Sequence, residues 1–333
     1  MIGSTHMQRE IVEIPDAVAR LIGTPLPAIA DAGALLQRTA PPAILTIGRG
    51  SSDHAATYLK YAIEIAAGRP VASIGPSVAS VFDAPLSATG MCAIAVSQSG
   101  SSADIVALAE RLGRSGAYVL ALTNRTESPL AQVSSTAVDI LAGPERAVAA
   151  TKSFVNSIVT GLLILAAWTR DDALQGALRR LPDRLDRALR TDWGTLAECL
   201  QTAQSLMILA RGPALGLASE AALKTMETCA IHASAYSAAE IMHGPSTLLT
   251  DKFPVLVLGR QGVPGDRLRP TLDRLSDQGA RLLHPPVVDA PDHPFTDPLL
   301  EIVGFYQMIE AEARRRGRNP DEPAFLKKET STV

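Results

Sequence analysis

The feature that most constrains the fold is a repeated alternation of short apolar runs with helical patterns. Four runs, Ala43–Gly48 (AILTIG), Cys92–Ser97 (CAIAVS), Ala117–Thr123 (AYVLALT) and Ala137–Ala142 (AVDILA), are bounded by Gly, Ser or Asn. Short apolar runs so punctuated read as buried strands. Ser52–Gly68 and Ala103–Gly116 lie between them, carry apolar residues at helical spacing and close on a glycine, as helix ends often do. Strand–helix–strand alternation implies a parallel sheet covered on both faces. The aromatic content of only 4%, with Ala, Leu, Val and Ile abundant, favours such layered α/β packing over a β-sandwich.

A second, weaker round follows. Ser205–Gly212 (SLMILARG) echoes AILTIGRG, Phe253–Gly262 (FPVLVLGRQG) takes the place of CAIAVSQSG, and Ala280–Pro286 (ARLLHPP) that of AYVLALTN. This reads as an internal duplication. The charged, helical stretch 171–192 joins the halves, giving an expected first domain over 1–190, with a leading and a linking helix, and a second over 191–333 with a C-terminal tail. At 333 residues and 47% apolar content, each half can bury its own core. The second copy has lost the serines of the first, so one hydroxyl-rich site per chain is expected.

Composition excludes several functions. A net charge of −3 and the lack of basic runs interleaved with aromatics argue against a nucleic-acid partner. The cluster Ala313–Arg318 (ARRRGR) reads as a solvated helix end. Cys92, Cys199 and Cys229 lie far apart, without CxxC or metal-like spacing to histidines, and read as reduced thiols of a cytoplasmic protein. The longest apolar stretch, Ile158–Trp168, is short for a bilayer and reads as a core helix. No membrane partner and no metal are expected.

The chemistry concentrates in two places. The run ending at Ser97 opens into Gln98, Ser99, Gly100, Ser101 and Ser102, and Gly48–His54 (GRGSSDH) repeats the arrangement with Ser51 and Ser52. A loop between a parallel strand and a helix N-terminus supplies N–H groups and a partial positive charge to an anion. Each loop alone could be a serine-rich cap; two in adjacent strand–helix units can converge on one phosphate ester. Neither has the GxxxxGK[ST] form of a nucleotide phosphate loop. The second place is Ser219–Pro245, where Glu220, Lys224 and Glu227 fall on one helix face. That is either a surface salt-bridge ladder or, in so apolar a segment, a proton-shuttling carboxylate with its cation. His232 reads as structural; His243, before Gly-Pro in a loop, is the stronger candidate for chemistry. Glu145–Phe154 (ERAVAATKSF) suits a helix start near a ligand through Thr151 and Lys152, and Phe325–Val333 (FLKKETSTV) reads as a polar tail.

Taken in order, GRGSS, SQSGSSADI, AVAATKSF, EAALKTMETCAIHASAYSAAEIMHGP and the terminal LKK resemble the double sugar isomerase (SIS) domain family over roughly residues 35–333. The resemblance is nearest to the isomerase half of glucosamine-6-phosphate synthase and to the SIS-type glucosamine-6-phosphate deaminases. It implies two tandem SIS domains, each a parallel sheet flanked by helices in a flavodoxin-like three-layer sandwich. It further implies that Ser97, Gln98, Ser99 and Ser102, helped by Ser51 and Ser52, hold a sugar phosphate. Glu227 would move a proton between C1 and C2, Lys224 would stabilise the developing oxygen charge, and His243 of a neighbouring subunit would open the ring. Val148 and Ala149 would line the sugar pocket through their backbone, Glu240 would support it, and Lys328 (or its neighbour Lys327) would close over it. The resemblance calls for no cofactor and implies a homodimer with the active site at the subunit interface. Ser102 replaces the family's usual threonine, and Ser234 stands where the synthase has a glutamate. These residues leave no room for the synthase's glutaminase domain, so the expected reaction is glucosamine-6-phosphate plus water to fructose-6-phosphate and ammonia. A ketose/aldose isomerase, a deglycase of another amino sugar phosphate and a non-catalytic sugar-phosphate sensor are the competing readings.

Overall fold

Strands Ile44–Ile47 (β1), Val71–Ser73 (β2), Cys92–Ser97 (β3), Tyr118–Thr123 (β4) and Thr136–Asp139 (β5) form a parallel sheet in the order β2-β1-β3-β4-β5. β1 and β3 are buried along their whole length, as aliphatic runs with helices on both faces must be. Successive residues serve opposite layers. Leu45, Ile47, Ala93, Ala95, Val119 and Ala121 pack with Ile105, Leu108 and Leu112 of the helix Ala103–Arg114. Ile94, Leu120 and Leu122 instead meet Leu36, Leu59 and Leu165, which come from the helices Pro27–Thr39, Ser51–Ala67 and Lys152–Thr169. Each fully buried Leu or Ile of these layers is worth about 1.5–3 kcal/mol relative to exposure.

The computed structural model describes residues 4–250, 252–260 and 267–328. They divide into two units: 16–145 and 152–179 with Lys327 and Lys328 hold the first sheet, while 4–15, 146–151 and 180–326 hold a second. The second sheet consists of Ser205–Ala210 (β6), His232–Ser237 (β7), Pro254–Val257 (β8) and Arg281–Leu283 (β9), parallel throughout in the order β7-β6-β8-β9. Position for position, this matches the first four strands of the first sheet. The helix Ala214–Cys229 follows β6 as Ser51–Ala67 follows β1, and it packs on the long helix Asp297–Arg315.

Three local expectations change. The Ala137–Ala142 run pairs only over Thr136–Asp139. The helical face carrying Lys224 ends at Cys229, where Ala230 turns left-handed (φ 51°), and the chain re-enters as strand β7. The stretch Ile158–Trp168 belongs to an 18-residue helix, Lys152–Thr169, long and apolar enough by composition to cross a membrane. Its residues from Lys152 to Thr160 are all buried, so it serves as the core helix of the first unit.

Candidate active site

The hydroxyl-rich loops stand side by side. β1 and β3 are parallel neighbours in register, Ile47 opposite Ala95, so the segments following them emerge from one edge of the sheet. The chain runs from β1 outward to β2 and then back to β3, which makes this the point where strand order reverses and ligands of open α/β sheets are bound. Arg49, between the strand and Ser51, forms an ion pair with Asp104 at 2.9 Å. Asp104 is buried in the first turn of the helix Ala103–Arg114, so the pair ties one loop to the other. In the serine loop, the Gly100 N–H donates to Ser97 Oγ at 3.1 Å, and the Ser101 N–H donates to Ser99 Oγ at 3.3 Å. The Gln98 carbonyl accepts from the Asn124 N–H at 3.2 Å. Gly100 has φ +62°, and a Cβ placed there would lie 2.1 Å from Ser128 Oγ. Ser102 occupies the N-cap of the following helix, yet its side chain makes no capping bond. The helix holding Ser51 and Ser52 likewise starts without a side-chain cap at Gly50. Two helix N-termini thus stand beside a cluster of hydroxyls, an arrangement suited to an anion.

In the second unit, the expected face of the helix Ala214–Cys229 forms a buried charge triad. Lys224, 1% exposed, lies 2.7 Å from Glu227 and 3.2 Å from Glu220. Glu220 is wholly buried and accepts a hydrogen bond from the Tyr306 hydroxyl at 3.1 Å, whereas Glu227 keeps 18% of its side chain exposed. Burial by itself lowers the Lys224 pKa, but the two carboxylates more than offset it, and the ammonium is held above the usual lysine value. The surface-ladder reading is therefore replaced by a fixed cation with one sealed and one accessible carboxylate. His243 and Glu240 are both exposed, on the short turn after β7, where the His243 N–H donates to the Glu240 carbonyl at 2.9 Å. His243 thus sits on a turn beyond β7, on a different element from the helix that carries Lys224 and Glu227.

The remaining residues are distributed as follows. The Val148 N–H donates to the Asp321 carbonyl at 3.0 Å, and Ala149 is fully buried. Lys328 approaches Glu145 at 3.6 Å, while Lys327 is exposed. Glu145 is buried and also accepts from the Ser153 N–H at 3.1 Å. Lys152, 2% exposed, donates to the Pro144 carbonyl at 3.0 Å. Sequence reasoning passed over Arg49, Asp104, Tyr306 and Glu145. Only Asp104 carried a usable signal, as an acidic residue in the first turn of a helix beginning at a serine loop.

A parallel α/β architecture with paired hydroxyl loops at the strand-order reversal defines the class. The model of the SIS domain matches residues 39–167, which span that sheet and both loops. A solved protein of Silicibacter pomeroyi DSS-3, provisionally assigned as a phosphosugar isomerase, is 46% identical with a TM-score of 0.91, over 96% of this chain and all of that one. The chain belongs to the SIS domain family. The isomerizing glutamine–fructose-6-phosphate aminotransferase of Sulfurisphaera tokodaii is 32% identical over 301 residues, 87% of this chain but 50% of that protein. The chain thus spans about half the length of the curated relatives it matches. The glucosamine-6-phosphate deaminase of Thermotoga maritima shares the fold, with a TM-score of 0.79 at 20% identity, over 98% of this chain and all of that one.

Proposed function

We propose that this chain is an amino sugar phosphate isomerase–deaminase that converts glucosamine-6-phosphate and water to fructose-6-phosphate and ammonia. The observation that carries the reading is Glu227, a partly exposed carboxylate 2.7 Å from a buried ammonium. Such a group can take a proton from C2 of the open-chain sugar and return it to C1. Lys224 offsets the negative charge that develops meanwhile, and the paired serine loops hold the phosphate. The proton shift converts the C2 amine to an imine. Water adds to its carbon, and ammonia leaves as the C2 ketone forms. In this reading Lys328 closes over the sugar, with Glu145 to orient it, and the second sheet is a second SIS-type domain. His243 opens the ring from a second copy of the chain; its exposed position beside Leu248, 60% exposed, suits a homodimer in which each site is completed by its partner.

A second reading, aldose–ketose isomerisation without loss of nitrogen, is favoured by the 46% identical relative assigned as a phosphosugar isomerase. One coupled assay separates them: ammonia release from glucosamine-6-phosphate beside interconversion of neutral hexose phosphates. Glu227→Gln is expected to keep phosphosugar affinity and lower turnover by about 10²–10⁴-fold. Turnover near the wild-type value in that variant would remove the proposed base.

A further inference from the structure

The second unit has a feature the proposed reaction does not use, a cavity of about 550 Å³ at the carboxyl ends of β8 and β9. Its size falls within the range of roughly 300–1,000 Å³ typical of small-molecule sites. Arg260 follows β8, and His284 follows β9; Arg269 and Asp273 come from the first turns of the helix Arg269–Asp277, and Glu301 from the start of Asp297–Arg315. None of the proposed acid–base residues lines it. We propose that this cavity is a separate binding site for a small organic phosphate, held by Arg260 and Arg269.

The argument has three parts. First, the location repeats the logic of the serine loops: β8 occupies in its sheet the place β3 occupies in the first, and two helix N-terminal turns border the cavity, where an anion gains from open N–H groups. Second, neither cation is held by a short contact, while the charge of Arg260 acts through space on Glu301 and His284. Neither Arg260 nor Arg269 makes a hydrogen bond or ion pair with a described residue, whereas Asp297, which also borders the cavity, is engaged by the buried Arg184 at 2.5 Å. Two guanidinium groups with His284 between strands suit the planar, multidentate grip that phosphate oxygens accept. Third, the remaining wall selects for more than a bare ion. Leu272, Pro285 and Pro286 give apolar surface, while Asp273 and Glu301 offer acceptors to hydroxyl groups. Glu301 is itself anchored, accepting the Gly259 N–H at 2.6 Å, so it can face a ligand hydroxyl without reorganising.

The test is isothermal titration of the full chain at low salt with three probes: inorganic phosphate, glucosamine-6-phosphate and adenosine monophosphate. Wild type is expected to bind more than one equivalent of organic phosphate per chain. Arg260→Ala/Arg269→Ala should weaken one equivalent at least tenfold and spare the other. Because both arginines are exposed, this variant should fold, as circular dichroism would verify. Ser99→Ala should show the converse loss. If Ser99→Ala changes nothing while the arginine variant loses its equivalent, the second-unit site stands and the proposed serine cradle fails. Binding stoichiometry and affinity unchanged in the arginine variant would overturn this site, and inorganic phosphate binding as tightly as either ester would overturn its assignment to organic phosphates.

Discussion

Replacing Lys224 by Met tests the buried triad most directly. Methionine fills a similar unbranched volume, so the change is chiefly the loss of a charge. The two carboxylates then meet different fates. Glu227, 18% exposed, can turn toward water at little cost. Glu220 is wholly buried and keeps the Tyr306 hydroxyl at 3.1 Å, but it loses the ammonium that neutralises it in the interior. Removing one partner of a buried ion pair costs about 3–5 kcal/mol, and the Tyr306 bond offsets about 1–1.5 kcal/mol of that. A loss of about 2–4 kcal/mol is therefore expected at pH 8. The loss should shrink toward pH 5, because the folded variant binds a proton at Glu220 that the unfolded chain releases more readily. Where the folded state holds more protons, stability falls as pH rises. Adding Glu220→Gln to Lys224→Met should restore most of the deficit, since the amide leaves no buried charge. The assay is urea unfolding of wild type, the single variant and the double variant at pH 5 and pH 8. A single variant as stable as the double at pH 8 would refute the view that Lys224 neutralises Glu220.

Two further perturbations follow from local geometry. Gly100→Ala combines φ +62° with a Cβ 2.1 Å from Ser128 Oγ, while Gly90→Ala meets φ +76° with open space around it; Gly90→Ala should cost about 1 kcal/mol and Gly100→Ala about 1–3 kcal/mol more, measured by urea unfolding. Equal losses would mean that the serine loop yields to the added methyl. Glu301 is raised from 4.5 to about 7, chiefly by burial, so wild-type stability should fall as pH rises from about 4.5 to 7. The lost stability is on the order of 3 kcal/mol, and Glu301→Gln should flatten that limb; an unchanged slope would assign the pH dependence to other groups.

What could be read from the sequence depended on how deeply each element is buried. The central strands β1, β3, β4, β6 and β8 announce themselves as apolar runs because helices cover both their faces. The two strands that escaped, β2 and β7, both lie at sheet edges. β2 is three residues long with two of them exposed, and β7 is HASAYS, whose residues are mostly half-buried, so neither needs an apolar or β-branched run. The same distinction holds in the site. Glu220, Lys224 and Glu227 are legible because helical spacing fixes their contact. Tyr306 on Glu220, Lys328 beside Glu145 and Arg49 on Asp104 join residues whose proximity only the folded chain creates. Arg260, Arg269 and Glu301 were invisible for the same reason.

Serine at a loop–helix junction has one sequence signature whether it caps the helix or waits for a ligand, and the hydrogen bonds separate the two uses. Ser128 caps conventionally, accepting the Ala131 N–H at 3.4 Å. Ser97 and Ser99 accept N–H groups from Gly100 and Ser101, which fixes each oxygen but leaves its O–H free to donate, since a hydroxyl has one proton beyond its lone pairs. Ser101 differs: its hydroxyl donates to the Ser99 carbonyl at 3.2 Å, so its proton is already engaged. These three loop serines should therefore divide. Ser99→Ala should weaken phosphosugar binding by about 1.5–3 kcal/mol, the value of a hydrogen bond to a charged partner, whereas Ser101→Ala should leave affinity within about twofold of wild type. Direct titration of both variants decides the matter: if Ser101→Ala loses as much affinity as Ser99→Ala, the protons have been assigned to the wrong hydroxyls and the loop meets its anion through a different edge.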